Sequence, residues 1–309
     1  MIRTLLEERT DCYRVFHGSV EGRPGLSLDR YGPLWLAQTS RTPLDPQELG
    51  ELRQFAGSLL VYNDRQAKEQ PVPESPEALK PVLCRELGLA YRIRARHRGQ
   101  DPHLFLDLRA ARRWIRSRAA GQSVLNLFAY TCGVGLCALA GGAREVWNVD
   151  DSRRHLEIGL ENLALNELPE AIFRCIQEDV YPVLWQLAGL PVKGKAARRR
   201  RYVRLPPRQF DLVVVDPPPF AAGPYGAVDL VRDYQSLFKP CLRVASEGGI
   251  IVAANNSPDR QLEEFQELLE RCASKAGRPL LRQEVIPVDA DFPSWDGRHP
   301  LKVVACWCR

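Results

Sequence analysis

Two rhythms of apolar and polar positions run through the second two thirds of the chain. From about Gln100 onward, short continuous apolar runs alternate with stretches in which apolar residues return every three or four positions. The runs Ser123–Phe128, Glu145–Asp150, Ile172–Ile176, Phe210–Val215 and I-I-V-A-A-N (Ile250–Asn255) are rich in β-branched residues and read as buried strands. After Ser152, a good N-cap, Leu156, Leu160, Leu163 and Leu165 fall roughly on one helix face. Further helices are expected over 180–188, 228–245 and 261–275, and two last strands near 281–287 and 302–307. Strand–helix alternation predicts an α/β fold: a Rossmann-like parallel sheet with helices on both faces. Ligands in such sheets bind outside the carboxyl ends of the strands.

The first ninety-eight residues have another character. Gly22–Gln38 reads as two strands around a Tyr-Gly-Pro turn, followed by a polar helix over 46–57 and a strand over 59–64. A proline-rich link (Pro71–Pro76) leads to a hairpin turning at Leu87–Gly88. The expectation is a small α+β domain over 1–98 and a larger domain over 99–309. There is no internal repeat.

Composition narrows the classes. The chain has 309 residues, 45% of them hydrophobic, which suffices for a substantial core. No apolar run is long enough to span a membrane, and the charged start M-I-R-T-L-L-E-E-R-T lacks a signal-peptide core, so the reading is a soluble, cytoplasmic protein without a membrane partner. Nine cysteines without a C-x-x-C pair, and only five histidines, argue for buried thiols rather than a disulfide framework or a metal site.

The net charge of +5 matters less than its distribution. Between Val192 and Arg208 stand eight basic residues and no acid, among them Lys193, Lys195, Arg198, Arg199, Arg200 and Arg201. A second cluster is Y-R-I-R-A-R-H-R, Tyr91–Arg98. Two clusters of one sign point to a polyanion, most simply nucleic acid; the plain alternative is a solvated loop.

Chemistry is sought at the strand ends. The first strand runs into N-L-F-A-Y-T-C-G-V-G, where Gly133 and Gly135 let the backbone approach a ligand at a helix start. The second ends in Asp150, an acceptor for ribose hydroxyls, with Asp151 beside it better suited to the helix dipole. The third ends in Asp179–Val180. The fourth, L-V-V-V-D-P-P-P-F, stops a buried strand with Asp216 and locks the following loop with Pro217, Pro218 and Pro219 before Phe220.

Together these strand ends, with the E-G-G-I-I-V turn into the fifth strand, resemble class I S-adenosylmethionine-dependent methyltransferases. L-F-L-D-L-R-A-A-R-R (Leu104–Arg113), V-L-N-L-F-A-Y-T-C-G, V-V-V-D-P-P-P-F and the stretch from Cys12 to Gly32 are similar to the RlmI/RlmK family of large-subunit ribosomal RNA methyltransferases. The resemblance covers nearly the whole chain. It implies S-adenosyl-L-methionine as cofactor, ribosomal RNA as partner, and an N-terminal domain that positions RNA. It further implies that Phe105, Asp107 and Arg109 help close the cofactor pocket, that Asn126, Phe128, Tyr130 and Gly133 form its floor, that Asp150 binds the ribose and Asp179 with Val180 the adenine, and that Asp216 and Pro217 line the reacting centre. RlmI-type members begin with a PUA domain, and this chain starts after its place. They also carry a cysteine near the fifth strand, the nucleophile for 5-methylcytosine. Here Asn255–Asn256 stands instead, which resembles the RlmK branch acting on guanine N7.

The chemistry agrees with that branch. Cytosine C5 needs prior attack at C6 by a thiolate, whereas guanine N7 carries an in-plane lone pair and needs only alignment. Phe220 would stack on a flipped base, or pack beneath the loop; Asn255 and Asn256 would contact it, or hold the strand end. The loop Asp289–Pro300, with Trp295, Arg298 and His299, is expected near the same face. Cytosine C5 methylation, an RNA-binding assembly factor that holds cofactor without turnover, and a small-molecule methyltransferase are the alternatives. Oligomeric state stays open between monomer and homodimer.

Overall fold

The computed structural model of the chain describes residues 2–73, 75–96, 102–193 and 201–309. It divides into two compact units, Met1–Arg109 with Asp289–Gly297, and Ala110–Val288 with Arg298–Arg309. The first division therefore falls eleven residues beyond the expected 98, and a late segment returns to the first unit.

In the first unit, β1 (Cys12–His17), β2 (Leu26–Tyr31) and β3 (Leu34–Thr39) form an antiparallel meander. β4 (Leu60–Asp64) joins β3 in parallel because the helix Pro46–Ala56 carries the chain back. That helix starts in a capping box: Glu48 N donates to Asp45 Oδ1 at 2.8 Å, and Asp45 N donates to Glu48 Oε2 at 2.9 Å. The β2–β3 turn uses Gly32 at φ 58°, where a Cβ would meet Leu83 O at 2.5 Å. β5 (Val82–Glu86) and β6 (Leu89–Ile93) form the expected hairpin, with Leu87 and Gly88 both left-handed at its turn. β1 was not among the expected strands.

Arg109 explains the return of the late segment. Its guanidinium, 1% exposed, donates to Asp289 Oδ2 (2.7 Å), Asp291 Oδ1 (2.5 Å) and Cys12 O (3.0 Å). Asp291 Oδ2 also accepts from Arg14 N at 3.1 Å, and the Arg14 guanidinium lies 4.5 Å over Phe292. A charged network this deep persists because every partner is present.

In the second unit, β7 (Ser123–Leu127), β8 (Glu145–Asp150), β9 (Phe173–Gln177), β10 (Phe210–Val215), β13 (Ala245–Asn255), β14 (Leu280–Ile286) and β15 (Lys302–Cys308) form one sheet in the order β14-β15-β13-β10-β7-β8-β9. Six strands point the same way; β15 lies antiparallel between β13 and β14. The reason is connectivity. The helix Leu262–Lys275 carries β13 over to a parallel β14, whereas β14 reaches β15 without a crossover helix. Strand order reverses between β7 and β10, which opens a crevice at their carboxyl ends.

One sheet face, carrying Leu125, Leu127, Val213, Val215, Ile251, Ala253, Val304 and Cys306, packs on the helices Val180–Leu187, Gln235–Val244 and Leu262–Lys275 through Leu184, Phe238, Leu242, Phe265 and Leu269. Each large apolar side chain so buried contributes about 1.5–3 kcal/mol. The other face carries a buried amide pair, Asn126 Nδ2 donating to Asn148 Oδ1 at 3.0 Å. A Cβ on Gly135 would lie 2.2 Å from Asn148 Oδ1, so this glycine lets the helix Gly133–Ala140 settle on the amide pair.

One expected helix is shorter than predicted. Residues 228–245 do not form a single helix: β11 (Phe220–Gly223) and β12 (Gly226–Asp229) form an antiparallel ribbon, and helix begins at Gln235. Asp229 Oδ1 ends the ribbon by accepting from Val231 N (3.0 Å) and Arg232 N (2.9 Å). No helix among the described residues is long and apolar enough to cross a membrane.

Candidate active site

The crevice is built on one side by the ends of β7, β8 and β9. The loop after β7 holds three non-glycine residues in the left-handed region: Phe128 (φ 57°), Tyr130 (φ 49°) and Cys132 (φ 61°). Each costs about 1–2 kcal/mol. Asp150 holds that loop in place, because its Oδ2 accepts from Tyr130 N at 2.8 Å and its Oδ1 from Ser152 N at 2.9 Å. His155 Nδ1 lies 3.7 Å from the same carboxylate, and its ring meets Tyr130 edge-on at 4.4 Å. Ser152 caps the helix Arg153–Leu165 as anticipated.

Acid accumulates beside it. Asp151 reaches solvent, yet its carboxyl is held above the usual range by lost hydration and then by Asp150. Asp179 caps the next helix by accepting from Tyr181 N at 2.9 Å; partial burial raises its carboxyl, and Asp151 and Glu178 add to the rise. Val180 is buried against the core. A ligand that donates from hydroxyls and an amine relieves this crowding of acceptors. The acceptors Asp150, Asp151 and Asp179 suit the hydroxyl and amine donors of S-adenosylmethionine; Phe128 and Tyr130 lie on the strained loop beside Asp150, Gly133 starts the helix after it, and Val180 lies in the core. Asn126 is spent on Asn148 beneath the site.

The other side is built by the ends of β10 and β13. Asp216 is half-buried and Pro217 buried, Pro218 is partly covered, and Pro219 is exposed where the chain enters the ribbon. Phe220 is 66% exposed, so it does not pack beneath the loop. The ribbon leans on the acid side: a Cβ on Gly223 would lie 2.7 Å from Asp179 Oδ2, and Tyr181 Oη donates to Ala227 O at 2.9 Å. The two asparagines differ. Asn255 is wholly buried, donating to Leu230 O (3.1 Å) and accepting from Ser257 N (2.9 Å), so it ties the strand end to the segment after the ribbon. Asn256 Oδ1 is buried and finds no hydrogen-bond partner among the described residues.

Lys195, Arg198, Arg199 and Arg200 lie outside the described residues. Lys193 and Arg201 are exposed. The far leg of the basic run docks by the ribbon: Val203 N donates to Glu178 Oε2 (3.0 Å), Arg204 stacks over Tyr202 (4.3 Å), and Tyr202 meets Tyr225 edge-on. Arg208 is neutralised by Glu145. In the first unit Arg96 is spent on Asn63 Oδ1 and backbone carbonyls, and Arg109 on its aspartates; Phe105 is 44% exposed and Asp107 half-buried. Trp295, 81% exposed, belongs to the segment grouped with that unit, whereas Arg298 and His299 belong to the second.

Sequence reasoning missed Lys302. It is 6% exposed at the start of β15, opposite Asn255, and its ammonium donates to Ser257 O and to Pro300 O (2.7 Å). Its one sequence signal was a lone cation opening an otherwise apolar strand.

Comparisons with known proteins give the family. A family model described as S-adenosylmethionine-dependent methyltransferase matches residues 56–305. A ribosomal RNA large subunit methyltransferase of Deinococcus radiodurans is 31% identical over 283 residues, covering 87% of this chain and 65% of that protein. The ribosomal RNA large subunit methyltransferase I of Klebsiella pneumoniae is 27% identical over 307 residues, covering 94% and 72%. The methyltransferase SMU.776, crystallised with SAH, superposes with a TM-score of 0.81 at 25% identity, covering 99% of this chain and 77% of that one. The chain spans about two thirds of the Deinococcus relative's length. With its strand-end set and a family model matched over most of its length, the chain belongs to the S-adenosylmethionine-dependent methyltransferases.

Proposed function

We propose that the protein methylates N7 of a guanine in large-subunit ribosomal RNA, in the cytoplasm. The observation that carries this reading is the acceptor side of the crevice. All nine cysteines are described, and none stands on 216–220 or 253–258. Burial pushes the thiols of Cys132 and Cys241 well up, away from the thiolate that attack on a pyrimidine requires. In place of a thiol there are a proline-locked acid, an exposed ring and an amide oxygen without a partner among the described residues. S-adenosylmethionine supplies an electrophilic methyl group on a sulfonium.

The residues on the acceptor side then have positioning tasks. Phe220 stacks on the displaced base. Asp216 and Asn256 Oδ1 accept from its N–H groups, and guanine offers N1–H and the N2 amine as donors on one edge. N7 bears no proton, so no general base is needed. Prolines 217–219 limit the loop's freedom and lower the ordering cost of binding. Alignment of this kind is worth roughly 7–11 kcal/mol. Arg201, Arg204 and Lys193 meet the phosphates. The methyltransferase I name of the Klebsiella relative favours a second reading, cytosine C5.

Methyl transfer from labelled cofactor into ribosomal RNA, followed by nucleoside mass analysis, tests this. The expected product is 7-methylguanosine. A 5-methylcytidine product, with a covalent protein–RNA adduct on 5-fluorocytidine RNA, would overturn it.

A further inference from the structure

Ser257 is held at both of its backbone groups. Its N–H donates to Asn255 Oδ1 at 2.9 Å, and its carbonyl accepts from the Lys302 ammonium. Asn255 is itself anchored to Leu230 O, and Lys302 to Pro300 O. Asn256 sits between two pinned neighbours, with its amide oxygen buried and without a partner among the described residues. A buried acceptor left open is costly unless a donor arrives. The turn that carries this atom is held by two hydrogen bonds at Ser257, one donated to Asn255 and one accepted from Lys302.

We propose that Lys302 is a positioning residue for base recognition: its ammonium clamps the Asn255–Ser257 turn, presents the Asn256 amide to the target base, and lets the turn go when it loses its proton. The inference rests on the reading of Asn256 as a base contact. Burial pulls the Lys302 ammonium down to about 8; Arg260 pushes in the same direction and Asp259 opposes it. Asn255, opposite it in β13, is neutral, and Arg298 and His299 precede Pro300 in the chain. The neutral amine keeps only weaker donors for the two carbonyls, so the clamp slackens as pH rises through this value.

The sign for folding is the opposite. The folded-state value lies below the ordinary lysine value. Between the two the unfolded chain binds more protons, and this group makes the fold more stable as pH rises. A lysine that only held the fold together would therefore give activity that follows stability upward; a clamp gives activity that falls while stability climbs.

The test uses the full chain. Methyl transfer to ribosomal RNA is followed from about pH 6.5 to 9.5 at saturating cofactor, alongside NMR of the Asn256 side-chain amide in 15N-labelled protein. The wild type is expected to lose about tenfold in kcat/KM with a midpoint near 8, and the amide signals to titrate with it. Lys302→Arg, charged throughout, keeps the high rate at the alkaline end. Lys302→Met shows the low rate at every pH, with unchanged cofactor affinity and a melting temperature no lower than the wild type's. An amide titration without methyl transfer to any RNA would sink the proposed function and leave the clamp standing. Transfer with identical profiles in wild type and Lys302→Arg, and a flat amide signal, overturns the clamp alone.

Discussion

The two banks of the crevice are made of opposite materials. The ends of β8 and β9 crowd three carboxylates together and support them with a strained loop. The ends of β10 and β13 carry one half-buried acid, three prolines and an amide, with Lys302 the charge beneath. The first bank is tense until donors arrive; the second is stiff in advance. A bank that grips one small cofactor can use acceptors in number. On the proposed function, a bank that receives a base from a large polymer gains more from losing little freedom on binding.

The largest expected effect would break the first bank. Asp150→Ala removes the acceptor for Tyr130 N and Ser152 N and frees the strained loop. Loss of charged hydrogen bonds worth about 3 kcal/mol predicts a drop of about 100-fold in cofactor affinity by calorimetry. A change below threefold would mean that the loop keeps its shape without Asp150.

A middle-sized effect sharpens the contrast from the other bank. Phe220→Ala should raise KM for RNA by about tenfold, the scale of one lost stacking contact, and leave cofactor affinity unchanged. Phe220→Trp should restore binding. Equal losses for RNA and cofactor would show that the ribbon serves both banks alike, as its approach to Asp179 allows.

The smallest effect is a pH dependence. Asp151 and Asp179 are raised, so on acidification they take up protons before ordinary carboxylates do. The fold gains stability from this, because the raised values favour the protonated native state, while cofactor affinity falls. Asp179→Asn should flatten the acid limb of the affinity profile; an unaltered limb would remove Asp179 from the cofactor side.

The sequence carried most of the sheet because its strands are written locally. Phe210–Val215 and Glu145–Asp150 have the predicted bounds, since β-branched runs ending in an acid leave little choice. The ribbon was illegible. A-A-G-P-Y-G-A-V-D has weak strand propensity, and its pairing is a matter of backbone alone. Asn255 and Asn256 look equivalent side by side in the sequence; only the tertiary position of Leu230 spends one and leaves the other. Lys302 gains its meaning from the antiparallel insertion of β15, a long-range event that no local pattern encodes. Arg109 was read through a family motif, and its observed bonds run to two aspartates 180 and 182 residues away.

The insertion of β15 also sets an order of assembly during synthesis. β14 leaves the ribosome before the strand it pairs with, and β13 waits with one edge open until residues 302–308 emerge. Local units fold as they appear at roughly 5–20 residues per second. The acid bank can therefore form early, while the turn that Lys302 holds comes last. On the proposed reading of Asn256, the means of holding a base comes only once residues 302–308 have been made.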